Sequence, residues 1–221
     1  GMDKFRTQEL VKKISPVPKT IPLDKKSVRE GFLTMHRKFA KTLGSPYIVK
    51  PNDSGSSVGT TIVRSVRELP RARRDAFRES RFVLIQKYLR GRELTCGILG
   101  NSSGKLRALP PVEIIPSRAF FDYKAKYSPG TRELCPAPIS RGLTKNVMEC
   151  AARAHRELGC DGLTRSDFIL APKGALYFLE INTVPGLTEA SLCPKEARAA
   201  GMSFGEFLDR QVELALEKSK K

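Results

Sequence analysis

Asp167, Glu180 and Asn182, together with Arg165, are the residues whose types and spacing could do chemistry. They lie in residues 163–182, where two apolar runs flank Lys173-Gly174. Glycine supplies the positive φ of a tight turn, so the segment reads as a β-hairpin. A turn centred on Lys173-Gly174 sets Asp167 opposite Glu180 and Arg165 opposite Asn182, and strand alternation puts all four on one face. Two carboxylates about 5 Å apart repel by roughly 3 kcal/mol even at an effective dielectric near 20, and like charges directly opposite destabilise a sheet. A positive group is therefore expected between them. An all-oxygen set of Asp, Glu and an Asn amide suits a hard cation, magnesium carrying nucleotide phosphates first among them. The competing account is a solvated acidic face, or a salt bridge from Arg165 to a carboxylate.

A second stretch that could bear chemistry is Lys50-Pro51-Asn52-Asp53-Ser54-Gly55-Ser56-Ser57-Val58-Gly59. It joins two apolar runs, so its Gly and Ser residues can bring amides and hydroxyls to phosphate oxygens, with Lys50 adding charge. It lacks the Gly-Lys-Ser/Thr of a Walker A loop. Taken alone, such a loop is an ordinary flexible turn more often than a phosphate site.

The elements that must position these stretches are legible from periodicity. Residues 3–14 predict a short helix ended by Pro16-Val17-Pro18, and residues 27–43 a longer one opened by Ser27 and Glu30 and closed by Gly44. Strands are predicted at 47–49, 58–63 and 82–86, with an arginine-rich helix before the last. From Glu93 the strands lengthen, at 93–99 and 106–115, followed by an irregular loop over 117–138. A helix at 145–158 precedes the hairpin, a helical turn follows at 195–200, and a terminal helix opens with Ser203 and Glu206. The class is α+β, with a first lobe over residues 1–90, a second over 91–221, and a cleft between them suited to a nucleotide.

Bulk properties narrow the function. With 221 residues and 40% hydrophobic content the chain can bury a core. No run reaches the ~18 residues of a membrane-spanning helix and no signal-peptide pattern opens the chain, so a cytoplasmic protein without a membrane partner is expected. The five cysteines show no C-x-x-C pair and the two histidines no metal-like spacing, which argues against zinc and a disulfide framework. The net charge of +17 and the seven arginines between Arg64 and Arg81 raise nucleic acid as a partner. Interleaved Glu68, Asp75 and Glu79 favour instead a solvated, partly self-paired helix face.

With both stretches in one chain, the sequence resembles the ATP-grasp portion of D-alanine-D-alanine ligase, from Met2 nearly to the last helix. The resemblance is carried by Met2-Asp3-Lys4, by Lys50-Pro51 with Gly55-Ser56-Ser57-Val58-Gly59, and by Gly91 with Glu93. It continues through Asp122-Tyr123, Ala125-Lys126-Tyr127, Cys135-Pro136-Ala137 and Arg165-x-Asp167. Leu179-Glu180-x-Asn182-Thr183-x-Pro185-Gly186 and Ser191-Leu192-x-Pro194 complete it.

The resemblance implies an ATP-grasp fold and a carboxylate-amine ligase that makes a peptidoglycan precursor from D-alanine, with ATP and two magnesium ions as cofactors and manganese as their substitute. It implies that Lys4, Lys50, Ser57 and Lys126 meet the ATP phosphates. Gln86, Lys87 and Leu89 would bind adenine, Phe120 would pack on its ring, and Glu93 would hold the ribose. Asp167, Glu180 and Asn182 would hold the metal ions. Arg165 and the Gly186 amide would stabilise the tetrahedral species, Ser56 and Tyr127 would join the substrate site, and Ser191 with Leu192 would hold the second amino acid. Two departures stand out. Gln86 occupies a position where the family usually has a glutamate, and the amino-terminal domain that completes the substrate site is absent from this sequence. Weak or no activity of the chain alone is expected. The alternatives are an ATP-grasp ligase for another carboxylate and amine, completed by a partner chain, and a basic nucleic-acid-binding module.

Overall fold

A computed structural model of the chain describes residues 3–27, 30–55, 57–116 and 130–219. Among the described residues, ten strands form two antiparallel sheets, each backed by helices. The first sheet has the order β1-β4-β2-β3, from β1 (Thr20–Asp24), β2 (Tyr47–Pro51), β3 (Thr61–Val63) and β4 (Phe82–Lys87). Helices α2 (Phe32–Leu43) and α3 (Leu69–Glu79) cover one of its faces. Met35, Phe39 and Leu43 recur at helical spacing on α2 and pack with Tyr47, Val49, Ala72, Ala76 and Ile85.

The second sheet runs β10-β9-β5-β7-β8, with β6 (Arg107–Ala108) paired to β5 (Arg92–Leu99). Its other strands are β7 (Val112–Ile115), β8 (Arg132–Leu134), β9 (Leu163–Leu170) and β10 (Leu176–Asn182). Phe168 and Phe178 meet edge to face in its core at 5.7 Å between ring centres. Helix α4 (Arg141–Glu157) covers them through Val147, Ala151 and Ala154. Helices α5 (Leu192–Ala199) and α6 (Phe204–Ser219) pack beside β5 through Cys193, Ala197 and Phe207. Ser203 and Glu206 form the expected capping box: the Ser203 amide donates to Glu206 at 2.7 Å, and the Glu206 amide donates to Ser203 Oγ at 3.2 Å.

Helix α1 (Lys4–Val11), capped by Asp3, departs from the expected division of the chain. Val11 lies in the core of the second sheet, with Ile14 and Val17 packed against it, although residues 1–90 read as one lobe in the sequence. Other elements differ from expectation for local reasons. Gly31 is the N-cap of α2, so that helix begins at Phe32, and Ser27 falls in a preceding 3-10 turn. The strand expected over 106–115 divides into β6 and β7 at Pro110-Pro111, where two amide donors are missing. Ser140 caps α4 by accepting from the Leu143 amide at 3.3 Å, which starts that helix ahead of residue 145. Among the described residues no helix is long and apolar enough to cross a membrane.

Candidate functional site

The hairpin pairs Glu180 with Asp167 and Asn182 with Arg165, as the sequence predicts, but by a different route. The connection is not a two-residue turn. It spans Ala171 to Ala175, closed by the Ala171 amide donating to Ala175 at 2.9 Å and the Gly174 amide donating to Ala171 at 2.8 Å, with Gly174 at φ +85°. That turn pairs Phe178 with Phe168, one step out of the expected register. A bulge between Phe178 and Glu180 then restores it.

The bulge decides which residues face the site. Phe178 is buried in the core and, two residues on, Glu180 would follow it there by strict alternation. With Leu179 as the extra residue, Glu180 and Asn182 instead share the face of Asp167 and Arg165, while Ile181 enters the core. The displaced carbonyl of Leu179 accepts from the Gln8 side chain at 2.7 Å.

Opposite this face, the ends of β2 and β4 and the start of α1 complete a cleft of about 400 Å³ between the two sheets. Lys4, Lys50, Ser57, Gln86, Lys87, Leu89, Glu93, Asp167 and Glu180 all line it. Arg165 and Asn182 lie two pairs further along the ladder, outside its lining. Gly186, Ser191 and Leu192 follow the hairpin and lie outside it as well. Ser191 Oγ is 2.8 Å from Thr188 Oγ1, and Leu192 packs with Val112 and Ile114. Ser56, Phe120, Lys126 and Tyr127 lie outside the described residues.

Charge inside the cleft is arranged in opposed pairs. Lys4 donates to the carbonyls of Ser54 and Asn52 and lies 3.8 Å from Glu180. Burial pushes the Lys50 ammonium down to about 8, a shift that Glu180 opposes and Lys4 assists. Lys50 thus has little water of its own and a strong demand for an anion. Arg165 grips Asp167 with two parallel hydrogen bonds of 2.8 and 2.9 Å. Burial works to lower the Arg165 pKa, but the charge and hydrogen bonds of Asp167, with Cys193 and Glu180 adding, together outweigh it and hold the pKa above its ordinary value. This is the salt bridge of the competing account, and it coexists with the carboxylate pairing. Thr95 donates to the same Asp167 oxygen at 2.9 Å, fixing the carboxylate from the neighbouring strand.

The donor set fits a hard cation. Asp167 and Glu180 are paired across the ladder and flanked by Asn182, giving oxygen ligands alone. Among the described residues no group of three or more His, Cys, Asp or Glu could hold a metal ion, so the set rests on two carboxylates and one amide. Asn182 Oδ1 also accepts from the Val184 amide at 3.0 Å, which orients its side chain.

Sequence reasoning missed several residues that shape this cleft. Gln8 and Thr20 carry no chemistry by type, the tie that Asn52 makes to α1 was not foreseen, and strand β1 was not expected at all. Asn52 Oδ1 accepts from the Phe5 amide at 2.9 Å and ties the start of α1 to the phosphate-type loop. Glu196, on α5 behind Asp167, is fully buried. Burial raises its carboxyl to about 8 against the Gly97 amide, which donates to it at 2.7 Å, and against Arg165. No periodic or motif signal marks a buried acid on a short amphipathic helix.

Comparison with known proteins points to one family. A family profile described as "D-ala D-ala ligase C-terminus" matches residues 11–213. A D-alanine--D-alanine ligase of Syntrophobacter fumaroxidans is 48% identical over 181 residues, covering 80% of this chain and 57% of that protein. The chain thus spans little more than half the length of that relative. Among solved structures, the VanG D-Ala:D-Ser ligase of Enterococcus faecalis superimposes with a TM-score of 0.84 at 32% identity, over 96% of this chain and 61% of that one. A D-alanine--D-alanine ligase of Bacillus anthracis complexed with ATP gives 0.78 at 29%, over 99% of this chain and 66% of that one.

Proposed function

Because the chain belongs to the D-alanine-D-alanine ligase C-terminal family and has its ATP-grasp fold, we propose that it binds magnesium and ATP in the cleft and there activates a carboxylate for attack by an amine. The observation that carries the reading is the convergence of Lys4, Lys50, Gln86, Glu93, Asp167 and Glu180 on one cleft from both sheets. A carboxylate oxygen is a poor leaving group, and transfer of the γ-phosphoryl group converts it to an acylphosphate from which phosphate can depart. Such a transfer asks the protein for position and positive charge rather than covalent participation.

The residues divide that work by depth. Gln86, Lys87 and Leu89 receive the base, and Glu93 the ribose. Lys50, nearly enclosed and short of water, meets the phosphates with an ammonium that an anion restores to full charge. Lys4, anchored on two loop carbonyls, adds a second cation that Glu180 holds in place. Asp167, Glu180 and Asn182 hold magnesium, which when bound offsets the phosphate charge. Arg165, locked to Asp167, is held at the hairpin edge where the reacting group would emerge, and Ser191 with Leu192 receives the second amino acid.

The substrates proposed are two D-alanine molecules. Ser56 and Tyr127 would join the site of the first D-alanine. The chain is expected to bind Mg-ATP in this cleft. Calorimetry with ATP, with and without magnesium, tests the binding. Phosphate release dependent on D-alanine tests the substrate assignment, and release that no D-amino acid stimulates would count against it.

A further inference from the structure

Gln86 presents an ambiguity that a carboxylate does not. A glutamine amide can face a ligand with its oxygen, as an acceptor, or with its nitrogen, as a donor. The two orientations would choose different bases: an acceptor matches the amino group of adenine, and a donor matches the carbonyl of hypoxanthine or guanine.

The surrounding hydrogen bonds remove the ambiguity, and the chain of partners begins at a backbone carbonyl, which can only accept. Leu179 O, displaced by the bulge, requires a donor, so Gln8 must turn its Nε2 toward it, at 2.7 Å. That leaves Gln8 Oε1 facing Gln86, which must answer with its own nitrogen, at 3.1 Å. The second amide proton of Gln86 goes to Thr20 Oγ1 at 2.8 Å. Both protons are thereby committed on the side away from the cleft. The Gln86 oxygen has no donor among the described residues, and Gln86 lines the cleft. Gln8 is 2% exposed and Gln86 1%, so water competes little for these bonds.

We infer that Gln8 and Thr20 are positioning residues that set base specificity, by fixing Gln86 as an acceptor for a base bearing an amino group. Polarity passes from Leu179 through Gln8 to Gln86, linking the bulge that aims Glu180 to the group that selects the base. The inference rests on the nucleotide assignment of the cleft given above.

The test compares ATP with ITP, which differ at the base position in question, by calorimetry on the full chain with magnesium. The variants are Gln8→Met, Thr20→Val, Gln86→Glu, and Gln8→Met combined with Gln86→Glu. The unaltered chain is expected to prefer ATP by about tenfold or more, in keeping with a polar group left unpaired by the wrong base. Gln8→Met should shrink that preference at least about threefold, because the Thr20 hydroxyl can accept or donate and the amide can then turn over; Thr20→Val, which strips one Gln86 proton of its acceptor but leaves Gln8 in place, should shrink it by a smaller measurable factor. Gln86→Glu should keep the preference and should restore it in the double variant, since a carboxylate accepts with either oxygen. A merely structural role for Gln8 would not be rescued in this way. Should Gln8→Met not fold, Thr20→Val carries the comparison with a change of one hydroxyl for a methyl. An unchanged ratio in the folded single variants, or no rescue by Gln86→Glu, overturns the inference while leaving ATP binding intact. Absence of binding of either nucleotide by the unaltered chain overturns the nucleotide assignment and the inference with it.

Discussion

Glu180 faces Asp167 across the β9–β10 ladder because Leu179 is bulged out of it. One extra residue moves a carboxylate from the side of the sheet occupied by Phe178 to the side that opens on the cleft. The acidic pair is thus a product of strand irregularity as much as of residue type.

Replacing Glu180 with Gln should weaken magnesium-dependent ATP binding by at least about tenfold, through loss of a charged oxygen ligand. The same change removes the carboxylate that holds the Lys50 pKa up, so the Lys50 titration should move below about 8. Calorimetry with and without a chelator reads the first effect, and the pH dependence of ATP affinity reads the second. An unaltered magnesium dependence would count against the hairpin as the metal site.

The Lys50 ammonium sets a pH limit on binding. Its pKa in the folded chain is lowered to about 8 from 10.5, so above about pH 8 the free site must take up a proton before it can pair with phosphate. ATP affinity should fall by up to about tenfold per pH unit between pH 8 and 9.5. Lys50→Arg, charged throughout that range, should show no such fall. Folding stability moves the other way: the unfolded chain holds more protons in the same window, so this residue's contribution grows more favourable with rising pH. A flat binding profile for the unaltered chain would contradict the burial argument.

Glu196 makes the opposite contribution to stability. Its carboxyl is raised to about 8 from 4.5 in the folded chain, so between those values the folded state holds the extra proton, and stability is lost as pH rises. Relative to Glu196→Gln, the unaltered chain should lose about 1–3 kcal/mol between pH 5 and 7.5. Urea denaturation at the two pH values measures the difference. Parallel stability profiles would show that Glu196 is ionised at little cost.

Gly97 is needed for close approach rather than for its backbone angles. A Cβ there would stand 2.4 Å from Glu196 Oε2 and 3.0 Å from Leu109 Cδ1. Gly97→Ala should destabilise the chain by about 1–3 kcal/mol through overpacking. Because the clash falls on the Glu196 carboxylate, Gly97→Ala should also alter the pH dependence of stability in the window described for Glu196. Denaturation across pH 5–8 checks both.

The sequence discloses partners better than it discloses how they are brought together. The pairing of Asp167 with Glu180 could be read because hairpin geometry is local, but the route through a wider turn and a bulge could not. A bulge has no compositional mark, and Leu179 is an ordinary apolar residue in an apolar strand. Lys4, Lys50 and Glu93 are expected at a nucleotide by resemblance, and one cleft gathers them. Gln8 and Thr20 escaped notice because their importance depends on contacts with Gln86 and Leu179, as many as 171 residues away in the chain for Gln8 and Leu179. Strand β1 was hidden by its composition, Thr-Ile-Pro-Leu-Asp, in which a proline interrupts a short edge strand. The helix boundaries moved where a glycine or serine cap, rather than the apolar stripe, decides the end.

Helix α1 belongs to both halves of the molecule. Val11 fills the core of the larger sheet, while the backbone of Lys4 and Phe5 bonds to Asn52 beside the smaller one, and Gln8 touches strands of each. Neither half can melt without stripping this helix of partners in the other. Heating should therefore register a single cooperative transition, with the enthalpy of the whole chain absorbed at once, although the two sheets could each be drawn as an independent folding unit.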